Sequence, residues 1–362
     1  RVVSDLDQHP LLTDPVIPHI KVVHDRFAVE IMRGCSRGCR FCQAGIIYRP
    51  VRSRDAKTLA RETIKGLKST GYDQVSLLSL SSSDYRDMEN LLLPLSQYAQ
   101  NRRVSISLPS LRMDSFGIKL AELISEGKKT GLTFAPEAGS QRMRDIIGKN
   151  ITETELMAAA ELAFSKGWDR IKLYFMLGFP QESLEDLRAI GSLIHRLLDT
   201  GKRILGPRKY RRLNLNVSVN ALIPKPFTPF QWAGQDQPET LEYKMSLISR
   251  QVRSKMVKLS WTDFNKSKLE AVMSRGDTRV SAAIEEAWRQ GARFDNWTDL
   301  FDYGLWEQAF RQVQVDMDFY SSRHYGLQEI LPWSVIDIGV PRRFLLAQYQ
   351  KAKNYGKHTD QV

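Results

Sequence analysis

At 362 residues, with 42% hydrophobic and 26% charged content, the chain can bury a sizeable core, which excludes the disordered and fibrous classes. Lysine and arginine outnumber aspartate and glutamate by 53 to 41, a net charge of +12. Such an excess attracts polyanions, so RNA, DNA and anionic surfaces are candidate partners, beside the plain alternative of a generally basic protein. The three cysteines lie within eight positions, which reads as a metal site in a reducing compartment and not as a disulfide framework. No apolar run approaches the length of a membrane span and no signal peptide is visible, so a cytoplasmic location without membrane contact is expected.

Residues 1–26 are weakly patterned and carry His9-Pro10, Asp14-Pro15 and Ile17-Pro18. They read as a linker, and with Arg1 in first place they suggest a piece of a longer polypeptide with additional domains. Six short apolar, β-branched runs follow, over residues 27–32, 74–80, 103–107, 131–134, 170–176 and 213–219. Each has strand length and strand composition. Helical spacing lies between them. Leu59, Ile64 and Leu67 share one face over 56–69, and Leu184, Leu187, Ile190, Ile194 and Leu197 repeat over 184–199. The helix over 153–166 opens on Thr152-x-x-Glu155, a capping box. Strands alternating with helices predict parallel βα units, and six units fit an open, incomplete barrel better than an eight-fold one. The expected architecture is an α/β partial (βα)6 barrel over 27–237 and a mainly helical accessory region over 238–362. In that region helices are expected near 238–257, 263–274, 279–290 and 304–314; Trp261, Trp288, Trp297, Trp306 and Trp333 cluster there, and the region is expected to pack on the barrel or on a neighbour.

The sharpest signal is Cys35-Ser-Arg-Gly-Cys39-Arg-Phe-Cys42, directly after the first strand. Soft thiolates suit iron–sulfur clusters. Three ligands for a four-iron cluster leave one iron open to chelate a small molecule. Gly34 and Gly38 let the backbone curl around the cluster, and Arg33, Arg37 and Arg40 can offset its negative charge. A zinc site would need a histidine, and His9, His19 and His24 are not at finger spacing. Three merely structural cysteines packed this closely would be unusual.

These residues resemble the signature loop of the radical S-adenosylmethionine (radical SAM) superfamily, whose C-x3-C-x2-C spacing with an aromatic before the last cysteine matches Cys35, Cys39, Phe41 and Cys42. The resemblance implies a [4Fe-4S] cluster on the three cysteines and SAM on its open iron. It further implies one-electron cleavage of SAM to methionine and a 5′-deoxyadenosyl radical that takes hydrogen from a substrate. Ser81, Ser82 and Ser83 stand where the family has a turn for the methionine amino group. Glu137, in Phe134-Ala-Pro-Glu137-Ala-Gly139-Ser140, resembles a Gly-x-Glu-Ser cofactor contact, with a cap or surface carboxylate as the alternative. Gly178-Phe-Pro180-Gln-Glu182 resembles a Gly-x-Pro-x-Glu turn that borders the adenine, and Glu182 is open to a structural reading. Arg142 and Arg144 are either partners of the SAM carboxylate or surface residues. Beyond Asn216 and Asn220, Pro224-Lys-Pro226-Phe-Thr-Pro229-Phe-Gln-Trp232 resembles the sixth-strand exit of a radical SAM subgroup.

Further matching segments, Glu270–Asp277 and Gly291–Trp297, resemble a subfamily that carries an upstream cobalamin-binding-like domain. This chain has no Asp-x-His-x-x-Gly cobalamin motif. A basic stretch over 201–212 and a second over 48–54 read either as solvated loops or as grips for phosphate. Three functions follow: a radical SAM enzyme acting on RNA, a cobalamin-assisted radical SAM methyltransferase of a small molecule, or a non-catalytic metal module. Methylthio transfer is disfavoured, because a second cluster would need more cysteines.

Overall fold

A computed structural model describes residues 2–20, 22–108 and 132–355. The chain enters β1 (Phe27–Glu30) and the short β2 (Met32–Arg33), which pairs antiparallel with β3 (Arg52–Ser53) across α1 (Ala44–Ile47). Helix α2 (Ala56–Thr70) returns to β4 (Gln74–Leu78), and α3 (Met88–Arg102) returns to β5 (Ser105–Ser107). These three main strands are parallel in the order β1-β4-β5. A second parallel sheet has the order β6-β7-β8-β9: β6 (Leu132–Glu137), β7 (Arg170–Leu177), β8 (Asn214–Ala221) and β9 (Val257–Trp261). Helices α4 (Gln141–Ile146) and α5 (Glu153–Ser165) link β6 to β7, α6 (Leu184–Tyr210) links β7 to β8, and α7 (Pro238–Gln251) precedes β9. This α/β arrangement of parallel strands is the partial-barrel class expected. Gly131, counted in the fourth expected strand, lies outside the described residues, and so do 109–130 and 356–362.

Alternation decides which face is covered. On β7, Ile171, Leu173, Phe175 and Leu177 are buried, and on β8 Leu215, Val217, Val219 and Ala221 are buried. They join Leu156, Leu193, Leu197 and Met245 of the helices, and Val29, Val75 and Leu95 of the first half, in one hydrophobic cluster. Their neighbours Lys172, Tyr174, Asn216 and Ser218 face the other way and are half-buried or exposed. A parallel sheet with one polar face keeps that face for a lumen or a ligand.

Three expectations change. Val257–Trp261 is a strand paired in parallel with β8, where a helix was expected to run to 257. The stretch 201–212 is mostly helix: α6 runs on to Tyr210, because Gly201 and Leu205 keep its apolar face buried, and it breaks at Gly206, whose φ is 70°. Of the clustered tryptophans, Trp306 and Trp333 are buried and Trp261, Trp288 and Trp297 are half exposed or more, which leaves the expected packing of the region as it stood. Residues 2–13 are seated on the barrel and do not trail from it. Leu6 is buried, Arg54 Nη1 donates to the carbonyls of Leu6 (2.6 Å) and His9 (2.8 Å), and Leu11 N–H donates to Glu62 (3.2 Å).

The C-terminal region is mainly helical as expected. It holds α8 (Phe264–Arg275), α9 (Val280–Arg289), α10 (Tyr303–Gln312), α11 (Met317–Ser321) and α12 (Arg342–Lys353). Leu269, Val272, Ala283, Trp306, Phe310 and Tyr320 form its own core. A second contact seats Trp232, from the turn after β8, against Tyr325, Trp333 and Leu345. Among the described residues no helix is long and apolar enough to cross a membrane.

Candidate cluster and cofactor site

The cysteine loop leaves the carboxyl end of β1, where catalytic loops of such barrels gather. Its shape needs glycine at one point above all. Gly34 has φ 88°, and a Cβ there would sit 2.7 Å from the Tyr48 carbonyl oxygen and 2.9 Å from that of Pro50. Cys35, Cys39 and Cys42 form no disulfide, and each is half-buried. Gly45 N–H donates to Cys42 Sγ at 3.3 Å. Burial pushes the Cys42 thiol up. The Gly45 hydrogen bond and Lys149 oppose that push, and Cys35 and Glu137 add to it.

The arginines expected to balance the cluster have other duties. Arg33 forms an ion pair with Glu30 at 2.7 Å. Arg37 pairs with Asp84 through Nε (2.8 Å) and Nη2. Arg40, buried, donates from Nη1 to the carbonyls of Asp145 (2.9 Å) and Ile146 (2.6 Å), while its own N–H donates to Ile147 O at 2.8 Å. Guanidinium groups suit such forked contacts. The effect is to clamp the loop at two places at once, to the turn after β4 through Asp84 and to the end of α4 through Arg40. The positive stretch at 48–54 is likewise committed: Arg49 donates to Gly45 O at 3.0 Å, and Arg52 to Val3 O at 2.9 Å.

Glu137 closes β6 with φ 65° at an irregularity in the β6–β7 ladder. Its carboxylate accepts from Lys149 Nζ at 3.0 Å, with both side chains largely buried. It is neither a cap nor a surface group. Lys149 is a residue the sequence reading missed, since a lone lysine in a Gly-Lys-Asn turn gives no signal. Phe41 lies with its ring centroid 5.9 Å from that of Phe179, directly after Gly178. The structure thus brings together the cysteine loop, Glu137, Phe41 and the Gly178 turn.

Ser81 and Ser82 are buried at the exit of β4. Ser82 Oγ is within 3.0 Å of Ser79 Oγ, whereas the buried Ser81 Oγ has no hydrogen-bond partner among the described residues. Buried hydroxyls are normally paired, so an orphan beside the clamped loop marks a place for a polar ligand. The side chain of Ser83 lies outside the described residues.

Other expected positions also hold the local architecture. Glu182 is buried, accepts from Gly178 N–H (2.9 Å) and pairs with Lys244 (2.7 Å). Gly178 has φ 83° and shapes that turn. Arg144 is fully buried and donates to the carbonyls of Gly139 (2.9 Å), Ala138 and Ile151 (both 3.1 Å). Arg142 pairs with Asp186, which also accepts from Ser140 and from Ser183 N–H (2.8 Å). Asp186 thereby ties the start of α4 to the start of α6.

A half-barrel of parallel strands with three cysteines in the loop after its first strand is the arrangement expected of the radical SAM class. Sequence comparison agrees: residues 29–194 match the family description of the Radical SAM superfamily. The family's cofactors are a [4Fe-4S] cluster and SAM, and Cys35, Cys39 and Cys42 carry its cysteine spacing. The uncharacterized protein MJ0966 of Methanocaldococcus jannaschii is 31% identical over 291 residues, covering 78% of this chain and 61% of that protein. The uncharacterized methyltransferase PH0819 of Pyrococcus horikoshii is 23% identical over 193 residues, 52% of this chain and 41% of that protein. The chain therefore spans 61% of the length of the first of these relatives and 41% of the second. Among solved structures, the radical S-adenosylmethionine methyltransferase TsrM from Kitasatospora setae aligns with a TM-score of 0.45 at 15% identity, over 57% of this chain and 38% of that one.

The donor set fits the cluster. Three thiols supply three irons and leave the fourth open. Among the described residues no three His, Cys, Asp or Glu side chains gather tightly enough for a single metal ion. A four-iron cluster does not ask for that, because each cysteine ligates a different iron.

Proposed function

We propose that this chain is the catalytic core of a radical SAM enzyme that takes a hydrogen atom from a substrate held at the carboxyl ends of the strands. The observation that carries this is the loop of Cys35, Cys39 and Cys42, clamped by Arg37 to Asp84 and by Arg40 to the end of α4, beside the Glu137–Lys149 pair. The cluster with SAM, when bound, supplies one-electron cleavage of SAM to methionine and a 5′-deoxyadenosyl radical.

The protein's own share is to bind, to orient and to exclude water. The three thiolates hold the cluster. Glu137 would accept hydrogen bonds from SAM's ribose hydroxyls or its ammonium, and Lys149, 3.0 Å from the carboxylate, holds it in place. The Ser81 hydroxyl donates to or accepts from the methionine end. Phe41 and Phe179 close the apolar side of the site, which keeps water from a reactive species. The test is anaerobic reconstitution, reduction with dithionite and SAM, and measurement of 5′-deoxyadenosine. Wild type should produce it and Cys39→Ala should not. Equal production by both would contradict the assignment.

A further inference from the structure

The net charge of +12 is not spread over the molecule. Residues 165–172, 199–214 and 250–258 together hold thirteen lysines and arginines against only Asp169 and Asp199, nearly the whole of the excess. These three segments are remote in sequence, but sheet register makes them neighbours. Arg170 pairs with Asn214, and Leu215 with Val257, so the starts of β7, β8 and β9 lie side by side at the amino-terminal end of the barrel. The end of α6 arrives at the same place. Of its cations, Arg203 pairs with Glu161, and Arg212 lies 3.7 Å from Asp169. Arg208, Lys209 and Arg211 are exposed and have no carboxylate partner among the described residues.

The charge also continues inward. Lys172, Asn216 and Lys258 form one cross-strand row on the polar face of the sheet. Tyr174 stands in the next row, with Lys172 Nζ 5.0 Å from its ring centroid. Three strands at about 4.8 Å spacing make a strip roughly 10 Å wide, which suits one extended chain. Cations interleaved with an aromatic are the usual equipment for gripping phosphates while a base stacks. No large apolar side chain of the three segments is strongly exposed, which argues against a membrane surface, where such a patch would also insert apolar groups.

We propose that the amino-terminal end of the barrel binds a single-stranded polynucleotide through its phosphates, with the row of Lys172, Asn216 and Lys258 as its inner edge. The seven steps from Arg170 to Leu177 at about 3.3 Å each put this surface roughly 23 Å from the cysteine end of the same strand. It is a docking surface distinct from the cluster site, and it rests on charge and register alone, independent of the radical SAM reading.

The experiment is fluorescence anisotropy of the intact chain with labelled single-stranded RNA and DNA of about 12 nucleotides, titrated across salt. Contact with about five phosphates gives a slope of log K against log salt near −3.5, or about a hundredfold loss between 50 and 200 mM. The triple variant Arg208→Gln/Lys209→Gln/Arg211→Gln should bind more weakly, with the slope shallower by about 2. Lys172→Gln/Lys258→Gln should weaken binding further. Lys351→Gln, on α12, should change neither. All the replaced side chains are exposed, and an unchanged melting temperature verifies folding. Equal slopes for wild type and the triple variant overturn the proposal. So does tighter binding of a duplex of the same length, or triple-sensitive binding of anionic vesicles without any of the polynucleotide.

Discussion

Glu182→Gln removes one charge from a buried cluster that closes the turn between β7 and α6. The Glu182 side chain is 3% exposed and pairs with Lys244 at 2.7 Å; Lys244 reaches Asp236 at the same distance, and Asp236 is a third exposed. Breaking a buried pair costs about 3–5 kcal/mol when the survivor is stranded. Here Lys244 keeps Asp236, and the glutamine oxygen still accepts from Gly178 N–H, so the loss is one charge-assisted bond, about 2 kcal/mol. Glu182→Leu also orphans Gly178 N–H, which raises the cost to about 4 kcal/mol. Burial works against the Lys244 charge, but the two carboxylates outweigh it and raise its pKa. A raised lysine stabilises fully below its unfolded value, about 10.4, and the contribution fades as pH climbs through the folded value. The gap between wild type and Glu182→Gln should therefore narrow above about pH 10.4. Urea denaturation at pH 7.5 and 11 measures both effects. A Glu182→Leu variant within about 0.5 kcal/mol of wild type, the range of an ordinary surface change, would refute the reasoning.

Asp186 offers the opposite sign. Burial raises its pKa, but hydrogen bonds from Arg142, Ser140 and Ser183 prevail and hold it below the ordinary carboxylate value. Its stabilisation is present above about pH 3.9 and is lost as pH falls further, so Asp186→Asn should flatten the acid limb of a stability–pH curve in that window. Arg37→Ala cuts the tie between the cysteine loop and Asp84. It should lower iron bound per chain after reconstitution several-fold while the far-ultraviolet circular dichroism stays unchanged. Iron equal to wild type would show that the Arg40 clamp suffices.

The sequence made the barrel legible where chemistry was periodic. Phe27–Glu30, Gln74–Leu78 and Arg170–Leu177 stand within a residue or two of their expected bounds. The Thr152–Glu155 capping box forms with both of its hydrogen bonds. Where local signals conflicted, tertiary context won. Val257–Trp261 alternates with Lys258 and Ser260 and is short, so only its pairing with β8 reveals a strand. Helix α3 was concealed by Pro94 in its middle, a residue that ordinarily argues against helix. Gly206-Pro207 disguised the end of α6 as a loop. In the site, the spacing of Cys35, Cys39 and Cys42 was readable because it is contiguous. The Glu137–Lys149 and Arg37–Asp84 pairs join residues 12 and 47 positions apart, and no local pattern announces them.

The most direct test of the central claim is electron paramagnetic resonance of the reconstituted, dithionite-reduced protein with and without SAM, alongside iron and zinc analysis. The expected result is a four-iron cluster whose reduced signal changes shape when SAM is added, because SAM reaches an iron that no cysteine holds, with the signal lost in Cys35→Ala, Cys39→Ala and Cys42→Ala. Zinc in place of iron, or a cluster signal indifferent to SAM, would contradict it.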